Sequence, residues 1–197
     1  MIRAYHAIFT AYGFWLPNDP RGSWSDFVRS WELLGFGEAT KVSTRQSLAA
    51  NPHDHQHRQA AKEALTYPCV RFTGPQALSI ANGFRRAMDE SGYVLHACSI
   101  LPEHVHVVVA KHSRTIERIV GHLKTRATQQ LAEDEHHPLA GCRTADGTCP
   151  SPWARRCWRV YLNDPRHVLH AIEYVEKNPV REGKPPQKWS FVVPYTA

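Results

Sequence analysis

Apolar residues in this chain fall into two rhythms, every second position in some stretches and about every third or fourth in others. Residues 4–12 alternate loosely around Ile8 and Phe9 and predict a first strand. Pro75 to Ser91 carries a helical period, opens on proline and closes near Gly92, which predicts a helix. Tyr93 to Ile100 and His104 to Ala110 predict two further strands. Thr115 to about Glu133 predicts a long amphipathic helix with Ile116, Ile119, Val120 and Leu123 on its apolar side. Cys157 to Leu162 predicts the last strand. A final helix starts after Asn163, Asp164 and Pro165 and is expected to stop at Pro179, with Val168, Leu169, Ile172 and Val175 on one face.

Strand–helix–strand–strand–helix–strand is the order of an α+β, ferredoxin-like split βαβ fold with a mostly antiparallel sheet. One C-terminal helix, which bears a tyrosine, is appended to it. Two stretches break the rhythm. Residues of about 18–74 are irregular, with a turn signal at Asn18 to Gly22, and read as an insertion holding a short helix or two between Arg45 and Leu65. Residues of about 134–153 are rich in His, Pro, Gly and Cys and read as a loop that lets the final portion move relative to the core. Neither a repeat nor a second domain boundary is visible, so 1–197 reads as a single domain.

Composition narrows the function only slightly. The 24 Lys and Arg against 18 Asp and Glu give a net charge of +6, consistent with a polyanionic partner but not specific for one. No stretch approaches the roughly 18–20 apolar residues of a membrane span, and Met1 to His6 lacks the apolar run of a signal peptide. Five cysteines without paired spacing suggest reduced thiols, so a cytoplasmic, nucleoid-associated location is expected. Neither Cys142, Cys149 and Cys157 nor the polar tract His53 to His57 has metal-site spacing.

The chemistry lies in two segments. In Leu101-Pro-Glu-His-Val-His-Val-Val-Val109, a strand puts His104 and His106 on the same face, because side chains repeat at every second position. Two neutral imidazoles so placed make a metal site; the alternative is one structural and one exposed histidine. In Tyr174-Val-Glu-Lys-Asn-Pro-Val-Arg-Glu-Gly183, Tyr174 lies nearly opposite the apolar face, and Asn178, four residues on, sits beside it. His167 and His170 share that polar stripe. A surface tyrosine before an ordinary helix end is the alternative.

Together these segments resemble the single-tyrosine HUH transposases, the group that includes the REP-associated tyrosine transposases. Tyr5 to Thr10, Gly13 to Pro17 and Trp189 to Phe191 add weaker likeness. The resemblance implies one HUH transposase-like catalytic domain that nicks single-stranded DNA and transfers the strand, for transposition or for processing hairpin repeat elements. It implies Tyr174 as nucleophile, forming a 5′-phosphotyrosine, and a divalent cation on His104, His106 and Asn178. Two histidines leave coordination positions open, as catalysis needs. Imidazole suits Mn2+ better, while abundance favours Mg2+.

The implied partner is single-stranded or hairpin DNA, and the loop allows a homodimer with the tyrosine serving either subunit. Arg114, Arg118, Lys124 and Arg126 on or beside the second long helix are candidates for holding it. So are Arg155, Arg156 and Arg159, which flank Trp153 and Trp158; these tryptophans either stack unpaired bases or pack in the core. The rival readings are a domesticated, non-catalytic hairpin DNA-binding protein, an unrelated metallohydrolase, and a replication-initiation or relaxase-type enzyme. The family's motif residues are all present, no HExxH pattern occurs, and the Asn-Pro-Val ending argues against the last.

Overall fold

The computed structural model describes residues 1–44 and 48–196. Four strands, β1 (Ala4–Thr10), β2 (Leu95–Ile100), β3 (His104–Ala110) and β4 (Trp158–Leu162), form one sheet in the order β2-β3-β1-β4. Every pairing is antiparallel. This is the split βαβ arrangement expected from the pattern, with long helices between β1 and β2 and between β3 and β4.

Helix α1 (His55–Glu63) is the short one within the early segment. Helices α2 (Gly74–Ser91) and α3 (Ile116–Glu133) pack together on one face of the sheet. Thr73 caps α2 with a reciprocal box to Gln76, and Gly92 closes it at φ 67°, a left-handed conformation that suits glycine. Helix α4 (Pro165–Arg181) lies against the other face. Strand alternation divides the core accordingly. Tyr5, Ala7, Phe9, Val105, Val107 and Val109 face α2 and α3, whereas Ala4, Val108 and Leu162 face α4.

Three features depart from expectation. Helix α4 runs past Pro179, because a proline near the end removes only one ladder bond. The helix then closes on Gly183 at φ 66°, with Gly183 N–H donating to Val180 and Lys184 N–H to Pro179. Leu169 is exposed, its place on the buried face taken by Ala171. The loop at 134–153 is also anchored. Trp153 is buried between Phe9 and Phe72, Leu139 joins the same core, and Tyr12 N–H donates to Pro152.

The early segment builds a small cluster of its own from Leu16, Leu33 and Ala61, beside a 3-10 turn at Trp31–Phe36. Its polar anchor is the buried, two-pronged pair of Asp19 and Arg21, at 2.7 and 2.8 Å, with the guanidinium 3.9 Å above the Trp15 ring. The helical expectation for Arg45 to Leu65 is met by α1; residues 45–47 lie outside the described residues. At the β2 edge, Gln187 bonds both the N–H and the C=O of Ile100, and Val193 N–H donates to Leu95. The C-terminal segment thereby covers an edge strand.

Helices α2 and α3 approach closely at Gly83, where an added Cβ would lie 2.6 Å from the Ala127 Cα and the Arg126 carbonyl oxygen. Alanine adds about 1 kcal/mol of helix propensity, but overpacking a core costs about 1–3 kcal/mol, and backbone cannot swing aside. Gly83→Ala is therefore expected to lower stability by up to about 2 kcal/mol in a denaturant titration. Equal or greater stability would show that the helices are not pressed together there.

Candidate active site

The strand period sets this site. His104 and His106 lie on the α4 face of β3, and His6 lies on the same face of β1, with Ile8 paired to His106 and His6 to Val108. His6 Nε2 and His106 Nδ1 are 3.1 Å apart, and the two rings stack at 5.3 Å. Burial lowers the His6 pKa to about 4. His106 is pushed well below the usual imidazole range by burial first and by His104 and His6 second. Both rings are neutral at pH 7, so either can donate its N–H to the other across this contact. Phe14 stacks on His104 at 5.5 Å and covers its outer side.

Helix α4 supplies the other half. Tyr174, Asn178 and Glu182 are spaced four apart and line one edge of the helix. The Tyr174 ring is 5.7 Å from His106 and 5.9 Å from His6, all within one chain, and is partly exposed. Asn178 is buried, its side chain forms no hydrogen bond among the described residues, and its Nδ2 is unpartnered. Glu182 Oε1 lies 3.3 Å from His104 Nε2, and that contact chiefly holds the carboxyl below its usual pKa. The Arg181 guanidinium sits 5.2 Å above the Tyr174 ring.

The donor set is that of a borderline cation: two imidazoles, an amide and a nearby carboxylate. His104 Nδ1 and Asn178 Nδ2 are buried without partners, and an unsatisfied buried polar group costs about 1–3 kcal/mol. Of the two, only His104 Nδ1 can offer a lone pair to a cation; the Asn178 Nδ2 is a donor, and the amide would ligate through its Oδ1. Among the described residues no three His, Cys, Asp or Glu side chains converge as a metal cluster, so the third ligand would be the amide. The residues fit a divalent ion of the Mn2+ or Mg2+ type.

The basic candidates are scattered. Arg114 donates to the Tyr93 hydroxyl, and Arg126 pairs with Glu90. Both are tied to the α2 and α3 side, across the sheet from Tyr174. Lys124 donates to the carbonyls of Ala154 and Arg156, and burial lowers its pKa to about 8. Arg159 pairs with Glu117. Arg156 approaches Asp26 at 3.9 Å but stays largely exposed. Arg118 and Arg155 are exposed, with no ion pair among the described residues. His167 and His170 are exposed as well.

His6, Glu182 and Arg181 enter the site without having been picked out as ligands or charges. Glu182 and Arg181 had a usable signal, spacings of eight and seven from Tyr174 that return to the same side of a helix. For His6 only the alternation of β1 was legible; its meeting with His106 depends on strand register, which sequence pattern does not fix.

No protein-family model and no curated protein matches the chain. Several solved structures are similar to it in fold, two among them at low identity. One is a REP-associated tyrosine transposase bound to a REP hairpin, at 11% identity and TM-score 0.48, covering 92% of this chain and 68% of that one. The other is a crystal structure of a Deinococcus radiodurans protein described as a transposase, at 13% identity and TM-score 0.39, covering 90% and 91%.

With its pKa lowered to about 4 by burial, His6 is expected to stay neutral at pH 5.5 when imidazole nitrogens are followed by NMR in the metal-free protein. The unfolded chain takes up that proton first, near pH 6.5. Stability should therefore fall as pH drops from 6.5 towards 4, by roughly 3 kcal/mol at the limit. A midpoint near 6.5 would mean that the ring is not buried against His106.

Proposed function

We propose that this chain is a transposase-like enzyme that nicks single-stranded DNA and transfers the strand through a 5′-phosphotyrosine on Tyr174. What carries the reading is the meeting of Tyr174 with His106 and His6 inside one chain, 5.7 and 5.9 Å between rings, beside an amide that has no partner. A tyrosine on the appended helix has no packing reason to lie there. Val168, Ala171 and Val175 seat α4, each fully buried valine stabilising by about 1.5–3 kcal/mol.

His104, His106 and Asn178 would hold the divalent cation, Mg2+ or Mn2+. Such an ion would supply Lewis-acid charge to the scissile phosphate. The chain's own residues do the rest. Tyr174 Oη bonds to phosphorus as the P–O3′ bond breaks. The phenolic proton is released and the departing 3′ oxygen takes one up, so the ester count is unchanged and rejoining needs no ATP. Arg181, over the tyrosine ring, offers fixed positive charge to the phosphate.

His6 acts through His106. When its Nε2 accepts the His106 Nδ1 proton, the lone pair of His106 Nε2 is left free, as a metal ligand requires. His6 is thus a positioning residue that fixes a tautomer.

With Mn2+ and single strands that include hairpins, the unaltered chain is expected to form a DNA adduct that survives denaturing electrophoresis. Tyr174→Phe should bind DNA nearly as well and form none; an adduct on that variant would exclude Tyr174 as nucleophile. His6→Phe should weaken Mn2+ binding by about 10–100-fold in a calorimetric titration, and His6→Gln, which keeps an acceptor, should recover most of it. Equal affinity across all three chains would leave His6 with packing alone.

A further inference from the structure

The early segment brings a second tryptophan to the rim of this site. Trp24 stacks on Trp158 with ring centroids 5.4 Å apart and planes at 23°. Trp158 in turn meets His6 edge-on at 6.1 Å, and His6 touches Tyr174. The stack therefore continues directly from the reacting groups. Trp24 is 44% exposed although Trp158 covers one side of it, which leaves the rest of a large aromatic surface open to solvent. An indole face open to water beside a polar site is available for stacking by a flat ligand.

The ring is also held in place. Ser23 N–H donates to Thr40 and Ser23 C=O accepts from Val42, so the backbone entering Trp24 is fixed. On its other side, Ser25 N–H donates to the Ser23 hydroxyl. Asp26 pairs with Lys41 and approaches Arg156 at 3.9 Å, tying the segment to the approach to β4. A platform fixed before binding loses little entropy when a ligand stacks on it. Charge beside it suits a polyanion: Arg156, which reaches Asp26 at 3.9 Å, remains largely exposed, and its sequence neighbour Arg155 is exposed with no ion pair among the described residues. Aromatic faces next to free cations are how proteins take unpaired bases together with their phosphates.

We propose that Trp24, backed by Trp158, is a stacking platform for an unpaired base of the single strand, next to the phosphodiester presented to Tyr174. The inference rests on the reading of Tyr174 and the histidines as a cleavage site, and it assigns to residues of 18–74 a part in holding substrate. The occupant is a nucleobase and not an apolar peptide, because the platform is continuous with the tyrosine–histidine cluster and the largely exposed Arg156 reaches Asp26, two residues from Trp24.

The test compares the unaltered chain, Trp24→Ala and Trp24→Phe on two probes, a short oligothymidine and an abasic strand of the same length. The unaltered chain should prefer oligothymidine by about 5- to 150-fold, the range that loss of one aromatic–base stack spans. Trp24→Ala should lose most of that preference while binding the abasic strand as before, and Trp24→Phe should keep it. An unchanged preference in Trp24→Ala overturns the platform, even if the variant melts at lower temperature, because that pattern marks a clamp for the segment and nothing more. No preference in the unaltered chain overturns it as well. The covalent adduct is scored separately. A failed preference with the adduct intact overturns the platform alone, whereas a preference without any adduct keeps the platform and overturns cleavage.

Discussion

Two periods meet at one point in this molecule, and the site depends on their agreement. The two-residue repeat of β3 sends His104 and His106 to the α4 face while Val105 and Val107 go to the opposite core. The four-residue spacing along α4 brings Tyr174 and Glu182 to those rings, with Asn178 between them on the same edge of the helix. A slip of one residue in β3 would carry both imidazoles into the apolar layer beneath α2 and α3. The valines that prevent such a slip also hold the histidines in place. Packing and chemistry are specified by the same alternation.

Much of the architecture was legible because its signals are local. Pro75 and Gly92 bound α2, Asp164 and Pro165 start α4, and strand alternation gives β1 and β3. Errors arose where a local rule met a longer one. Pro179 read as a stop, yet Gly183 supplies the real one. Leu169 read as core, but the sheet meets the arc through Val168, Ala171 and Val175, and the smaller alanine fits. Trp153 and Trp158 were indistinguishable by composition; one is core and the other reaches the site. His6 and Trp24 depend on which strands pair and where an irregular segment comes to rest, and periodicity carries neither piece of information.

The polar half of α4 is tolerated because the apolar half is sufficient. An unpartnered Asn178 costs about 1–3 kcal/mol, which burial of Val168 and Val175 offsets. The helix can therefore keep groups that do nothing for folding. The same division holds in the early segment, where Leu16, Leu33 and the Asp19–Arg21 pair give local stability. The open face of Trp24 is thereby not needed for the segment's own core.

Gln187 and Val193 occupy the outer backbone groups of β2 from the C-terminal side. Another copy of the sheet thus cannot be zipped on at that border until this strap is peeled away. Any self-association through strand addition is directed to the opposite border, along β4, whose side chains alternate between half-covered and open. A few residues near the chain's end thereby decide which flank of the sheet is open to company.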